Sequence, residues 1–407
     1  MNRLAEVFRS GAWLTRKRVL AYSAGLLLAT IVSIIYALAS GDWQLGSPPP
    51  FGADFVSFWS AAREALAGRP NVPYDQSLFS AAEQAMFPGT GYFAFFYPPH
   101  YLLYLLPFGF LQFYTALVVW QIATFFFVTL ILMKIAGHRR ETLLLLLAYP
   151  GTILNLAYGQ NAFLTAALLG GGLAYLTSRP LLSGIFFALL TFKPQFGLLI
   201  PFALVSAGLW STFLSASVWG LSIAALSLIL FGAEVWTEFF CHSRDAAEVL
   251  RYGLVGWEQM ISTYALVRIA GAAHGVAAIG QAFVSFCVVL VVSWAWLPHN
   301  RIRFETRSAL LISGGLLATP FGLIYDLFVL APAVAFAIKA GIGHGFYPYE
   351  KTLIFSIYLI PLMILVFAHK GFVFAPFILC CLFLFLLRRA VKEAKAAYPT
   401  AEGVSAS

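Results

Sequence analysis

The sequence predicts an all-α polytopic membrane protein with about 12 transmembrane helices, and three observations lead to that class. First, 61% of the 407 residues are apolar and only 10% are charged, against about 25% charged in a soluble domain. That is too little charge to coat the two or three soluble domains such a length would suggest, which excludes a cytosolic enzyme. Second, 39 Phe, 18 Tyr and 10 Trp are far too many aromatics for a disordered chain. Third, the apolar residues gather in runs. After a first run from Val19 to Ala39 they fall at 98–136, 142–157, 161–177, 180–192, 195–209, 211–232, 278–297, 308–320, 323–340, 352–368 and 371–387.

The first run follows Arg16-Lys17-Arg18, and Ala37-Leu38-Ala39 resembles a signal-peptidase site. Its apolar core of about 20 residues exceeds the roughly 7–15 of a signal h-region, so it reads as a retained first helix. Several later runs are shorter than a straight span, which needs about 20 residues; broken helices are tolerated where they line a cavity inside the protein. The run 98–136 is too long for one span and contains Pro107. It is either two crossings or a juxtamembrane piece followed by one.

The basic residues decide between these. With one net crossing, Lys134, Arg139, Arg140, Arg179, Arg301, Arg303, Arg307, Lys339, Lys351 and the Arg388–Lys395 cluster share a side with Arg16–Arg18. That places 18 Lys and Arg inside and 7 outside, with acids at 6 and 11, the bias of cytoplasmic loops. The net charge of +8 is thereby explained by topology rather than by nucleic acid. The layout is a cytoplasmic segment 1–18, a first helix 19–40, a periplasmic loop 41–97, transmembrane helices 98–232, a second periplasmic loop 233–277, transmembrane helices 278–388 and a cytoplasmic tail 389–407.

The first outer loop has the character of folded structure. A Ser47-Pro48-Pro49-Pro50 turn precedes Phe55, Phe58, Trp59, Ala62 and Leu66 at helical spacing. The spacing predicts an amphipathic helix over 55–67, lying on the outer membrane surface, closed by Gly68 and stopped by Pro70.

The same layout brings Asp54, Tyr158-Gly159-Gln160-Asn161, Lys193-Pro194, Tyr325-Asp326 and His369-Lys370 to the outer boundary. Asp54 is either the N-cap of the surface helix or a base at the membrane edge. Asp326, between apolar stretches, demands a polar cavity or a partner, and Lys193 is the nearest candidate in kind. Lys193 either snorkels at a helix end or contacts a lipid phosphate. Gln160 and Asn161 either cap a helical hairpin or bond sugar hydroxyls. Tyr97-Pro98-Pro99-His100 turns the chain back into the membrane, and Arg244, Arg251 and Arg268 bind phosphate or headgroups. Gly170-Gly171-Gly172 falls inside an apolar run and reads as close helix packing. Cys241, Cys287, Cys380 and Cys381 form no CxxC, and the seven His are scattered, so no protein-held metal is expected. Walker A, dinucleotide and GxSxG signatures are absent from usable contexts, as is an Asp-x-Asp pair.

Read together, Asp54-Phe55 with Phe58-Trp59 and Ala61-Ala62, Gly68-Arg69-Pro70, Tyr74-Asp75, Phe96-Tyr97-Pro98-Pro99, Tyr158-Gly159-Gln160-Asn161 and Lys193-Pro194 resemble glycosyltransferase family 87, over about residues 50–340. The resemblance implies a GT-C-type bundle in the bacterial inner membrane. It implies transfer of a sugar, as in the family's mannosyltransferases, from a polyprenyl-phosphate donor to a lipid or glycan acceptor on the periplasmic face. No cofactor is implied, the lipid-phosphate sugar being the donor substrate. The family's catalytic Asp after the first helix matches Asp54, while Tyr325-Asp326 matches no family position. One carboxylate suffices for a direct inverting displacement, and the leaving phosphate calls for cations such as Lys193 or Arg251. Tyr97, His100, Gln160, Asn161, Tyr325 and Asp326 complete the expected donor and acceptor contacts. The alternative is a flippase for a lipid-linked saccharide, which predicts polar residues along a path through the membrane.

Overall fold

A computed structural model describes residues 3–40, 52–137, 141–367 and 375–397. The Ser47–Pro50 turn, His369-Lys370 and the end of the tail lie outside the described residues. Among the described residues every regular element is helical, apart from a single antiparallel bridge between Met260 and Leu323.

Four helices are long and apolar enough to cross a membrane by length and composition: Phe113–Ala136, Trp210–Phe231, His274–Trp296 and Ile324–His344. A fifth crossing arises if Glu141–Leu147 and Pro150–Tyr158 form one span, bent by 54°. The bend has a local cause. Tyr149 precedes Pro150 and takes an extended conformation, φ −68° and ψ 122°, because a residue before proline is driven out of the helical region. Shorter apolar helices such as Ala162–Tyr175 fill the interior. These helices make a membrane protein; they do not by themselves establish the expected count of about 12.

The run 98–136 resolves into a short helix, Tyr101–Gly109, a break, and one long helix, Phe113–Ala136. The short helix lies along the Asp54 helix, Ala53–Leu66, so closely that a Cβ on Gly109 would stand 2.8 Å from Leu66 and 3.1 Å from Ala62. Trp59 Nε1 donates to the Leu111 carbonyl at 3.0 Å, which keeps the break beside the Asp54 helix. The run therefore holds one short helix and one helix long and apolar enough to cross a membrane.

The Asp54 helix departs from expectation. Phe55, Val56, Phe58, Ala61 and Ala62 are each at most 1% exposed, so the helix is packed into the bundle rather than laid on a surface. Its would-be polar face carries Val56, Ser57, Ser60 and Ala61, all small or apolar enough to be buried as well. Gly68 does close it, with φ +77°.

Two ends of the bundle are defined by the long helices. Phe113–Ala136 starts with Phe113 against Phe55 and ends with Lys134 over the Tyr175 ring, 4.4 Å from its centroid; at 1.5 Å per residue these lie about 30 Å apart. Ile324–His344 starts at the Asp326 turn and ends beside Gly345, whose carbonyl accepts from Arg389. At that far end Arg389, Glu350 and Glu393 form a buried ion cluster, with 2.7 Å from Arg389 to Glu350 and 3.0 Å to Glu393. Arg16 pairs with Glu141 and Lys339 with Glu305. Every ion pair among the described residues joins partners that the basic-residue layout assigns to one face, and none mixes the two faces. The triple glycine packs as expected: a Cβ on Gly171 or Gly172 would meet Phe186 at 2.4 Å or Phe187 at 2.2 Å.

Candidate active site

Placement of Asp54 begins with two glycines. Gly52 N–H donates to the Ala157 carbonyl at 2.8 Å, tying the start of the Asp54 helix to the turn between helices Pro150–Tyr158 and Ala162–Tyr175. That turn contains Gly159, at φ +71°. A Cβ there would stand 2.7 Å from Phe55 Cβ and 3.0 Å from Gly52 Cα, so only glycine permits both the left-handed turn and the contact. The next residue, Gln160, then reaches Asp54, its Nε2 donating to Asp54 Oδ2 at 2.7 Å.

Asp54 is not the N-cap. Gly52 holds that position without a side-chain cap, and Asp54 stands inside the first turn, two residues past the cap. Its carboxyl is pushed up to about 6, first by burial and then by the charge of Asp326, against the lowering effects of the Gln160 bond and of Lys193. At neutral pH it is therefore mostly ionised yet basic enough to accept a proton.

Lys193 and Asp326 form an ion pair with Nζ 2.7 Å from Oδ1, and they are only 4% and 3% exposed. Lys193 thus does not snorkel to a surface. The Asp326 Oδ2 accepts from Leu323 N at 3.1 Å, closing the first turn of its own helix. Lys193 also lies 5.6 Å from the ring centroids of Tyr325 and Phe196, and Tyr325 packs on Tyr158 at 5.6 Å. The site thus holds two carboxylates and one ammonium beside a packed pair of tyrosines.

Asn161 Nδ2 donates to the Tyr101 hydroxyl at 3.1 Å and lies close to Tyr97, while its Oδ1 is buried without a partner. Tyr97 packs on Tyr101 at 4.6 Å and on Phe58 at 5.3 Å. The hairpin is capped by a residue the sequence reading missed. Asn155 Oδ1 accepts from Ala162 N at 2.9 Å, and its Nδ2 donates to Gln121 Oε1 at 3.2 Å. Both are buried polar residues inside apolar runs, and that placement was their only sequence signal.

Asp54, Tyr97, Gln160, Asn161, Lys193, Tyr325 and Asp326 are thus brought together from five stretches of the chain. Two expected residues are placed elsewhere. His100 bonds Thr191 at 3.2 Å and stacks on Trp236 at 6.1 Å. Arg251 is exposed and lies over Tyr252 at 5.4 Å, with Arg268 donating to its carbonyl. Residues 233–277 nevertheless reach the site, because Ile261 N donates to the Gly322 carbonyl at 2.9 Å, four residues before Asp326. The side chain of Arg244, like His369-Lys370, lies outside the described residues. Among the described residues no three His, Cys, Asp or Glu side chains are placed to hold a metal ion.

A helical membrane bundle with a carboxylate, a buried lysine–aspartate pair and a ring of tyrosines at one end is the frame of an integral membrane enzyme. Residues 95–320 match the profile of glycosyltransferase family 87, more than half of the chain, and the protein belongs to that family: it is a membrane glycosyltransferase. No curated protein and no solved structure matches it. The matched region includes Gln160, Asn161 and Lys193, ends shortly before Asp326 and begins well after Asp54, so it is narrower than the resemblance over 50–340.

Proposed function

We propose that this glycosyltransferase moves a sugar, mannose by family resemblance, from a polyprenyl-phosphate donor to a lipid or glycan acceptor on the periplasmic face of a bacterial inner membrane. The observation that carries the reading is the junction of Asp54, held by Gln160, with the buried Lys193–Asp326 pair. Asp54 acts as general base. It takes the proton of the acceptor hydroxyl as that oxygen bonds to the anomeric carbon, and the carbon–oxygen bond to phosphate breaks in line, inverting the centre. The electron pair leaves with the phosphate, which becomes a monoester. Lys193 meets the growing charge, a task suited to a preorganised buried cation. Asp326 holds Lys193 in place until the phosphate arrives. Tyr97, Gln160, Asn161 and Tyr325 orient the sugar, and the surrounding lipid accommodates the prenyl chain.

The test is transfer of label from radiolabelled polyprenyl-phosphate-mannose into a membrane lipid extract by purified protein. Asp54→Asn keeps an oxygen for the Gln160 bond and loses the base, so transfer is expected to stop while the protein remains folded. Near-normal transfer in that variant would overturn Asp54 as base. Label that changes leaflet without entering a product would favour a flippase instead.

A further inference from the structure

The Pro98-Pro99-His100 stretch has so far served only to turn the chain, yet His100 is one of the most enclosed polar residues near the site. It is 5% exposed, lies flat against Trp236 of the helix Ala233–Tyr252 with 20° between ring planes, and touches the turn that carries Lys193. Burial drops its imidazole to about 4, so the ring is neutral.

A neutral imidazole has one N–H, and the hydrogen bonds assign it. The Thr191 hydroxyl donates to the Ala188 carbonyl at 2.6 Å, which commits its single proton. The 3.2 Å contact to His100 Nε2 therefore runs from the imidazole to the hydroxyl. Nε2 carries the proton, and Nδ1 is a bare acceptor, buried without a partner. Thr191 is exposed at the edge of the bundle, and of its two hydrogen bonds the one to His100 is the one that ties its turn to another helix.

Thr191 lies two residues before Lys193 in the short turn Leu190–Phe192. The same turn is gripped from the helix that His100 starts. Phe192 stacks on Tyr101 at 4.7 Å and 13°, and the Tyr104 hydroxyl donates to the Leu189 carbonyl at 3.0 Å. His100, Tyr101 and Tyr104 thus hold residues 189–192 as a unit. Lys193 N donates back into the turn, to the Leu190 carbonyl at 2.9 Å. Wherever the turn sits, the root of the Lys193 side chain follows.

We infer that His100 is a positioning residue: through Nε2–H to Thr191 it sets the turn that aims Lys193, and through Trp236 it links that aim to residues 233–277. The consequence for transfer rests on the function proposed above; the placement of Lys193 does not.

The experiment uses the full chain in lipid nanodiscs. His100→Phe keeps a ring against Trp236 and removes the donor. His100→Gln keeps a donor at the Nε2 position. With lysines labelled by nitrogen-15, the Lys193 ammonium resonance, identified by its loss in Lys193→Met, should move in His100→Phe and return in His100→Gln. The resonance of Lys339, at the other end of the bundle, should stay fixed in both. In the transfer assay His100→Phe should raise the KM for the polyprenyl-phosphate donor by about threefold to tenfold, the worth of one net hydrogen bond. The acceptor KM should hold, and His100→Gln should recover most of the loss. A Lys193 resonance that ignores His100→Phe, or that moves as far in His100→Gln, overturns the inference. That arm decides it even if the wild-type protein transfers no sugar, a result that would sink only the proposed function.

Discussion

Asp326→Asn is the substitution whose effect the structure fixes most tightly. Asp326 and Lys193 are 3% and 4% exposed, and their charged atoms are 2.7 Å apart. At that separation the gross attraction is about 6 kcal/mol for an effective dielectric near 20, set against the cost of taking two ions out of water. Removing one charge leaves the other buried and alone, which costs about 3–5 kcal/mol. Asparagine preserves the bond from Leu323 N, so the loss belongs to the charge and not to the turn. Lys193→Met should cost a similar amount, whereas Lys193→Met with Asp326→Asn should recover most of the loss, since no buried charge is then left alone and Leu323 N keeps its acceptor. The assay is unfolding in mixed micelles followed by tryptophan fluorescence, with free energies compared across the cycle. All three variants should fail to transfer sugar, the double variant included. Wild-type stability in Asp326→Asn, or a double variant destabilised by the sum of the singles, would refute the reasoning.

Two further expectations concern pH. Asp54 must be ionised to act as base and is raised to about 6, so transfer should climb as pH rises through about 6. Stability from this group runs the other way, being complete below the ordinary carboxylate value of about 3.9 and lost as pH approaches 6. In Gln160→Ala a bond that holds the value down is gone, so the acidic limb of the rate profile should move to higher pH; an unmoved limb would show that another group titrates. Glu83 is 0% exposed, with Oε2 accepting from Phe93 N at 3.0 Å and Oε1 unpartnered, and burial pushes it up to about 8. Its contribution is present at low pH and fades as pH rises to about 8. Glu83→Gln stays neutral, so at pH 9 the variant should resist proteolysis over 76–97 better than wild type, with little difference at pH 6. Equal cleavage at pH 9 would remove Glu83 from the account.

Composition and the apolar runs were enough to read a helical membrane protein. Asp54, Gln160, Lys193 and Asp326 were legible because charged and amide groups interrupting apolar runs need a reason to be there. What stayed hidden depends on contacts between distant stretches. Nothing local says that Val56, Ser57 and Ala61 bury the second face of the Asp54 helix, since small apolar residues suit either environment. Nothing local separates Asn155 from Asn161 as the cap of the hairpin, because the choice is made by which side chain points back along the turn. The spacing of Asp54 favoured no role over another; only the position of Gln160, more than a hundred residues later, reveals what its carboxyl meets.

The confinement of each ion pair to one end of the bundle bears on how the chain is assembled. Lys193 and Asp326, Arg16 and Glu141, and Glu350 and Arg389 are all distant in sequence, so these pairs close only after the later partner has been synthesised. Because both members of each pair lie at the same end of the bundle, no charge needs to pass along the bundle to find its partner. Each pair therefore closes by lateral contact between segments far apart in the chain, and joins them side by side.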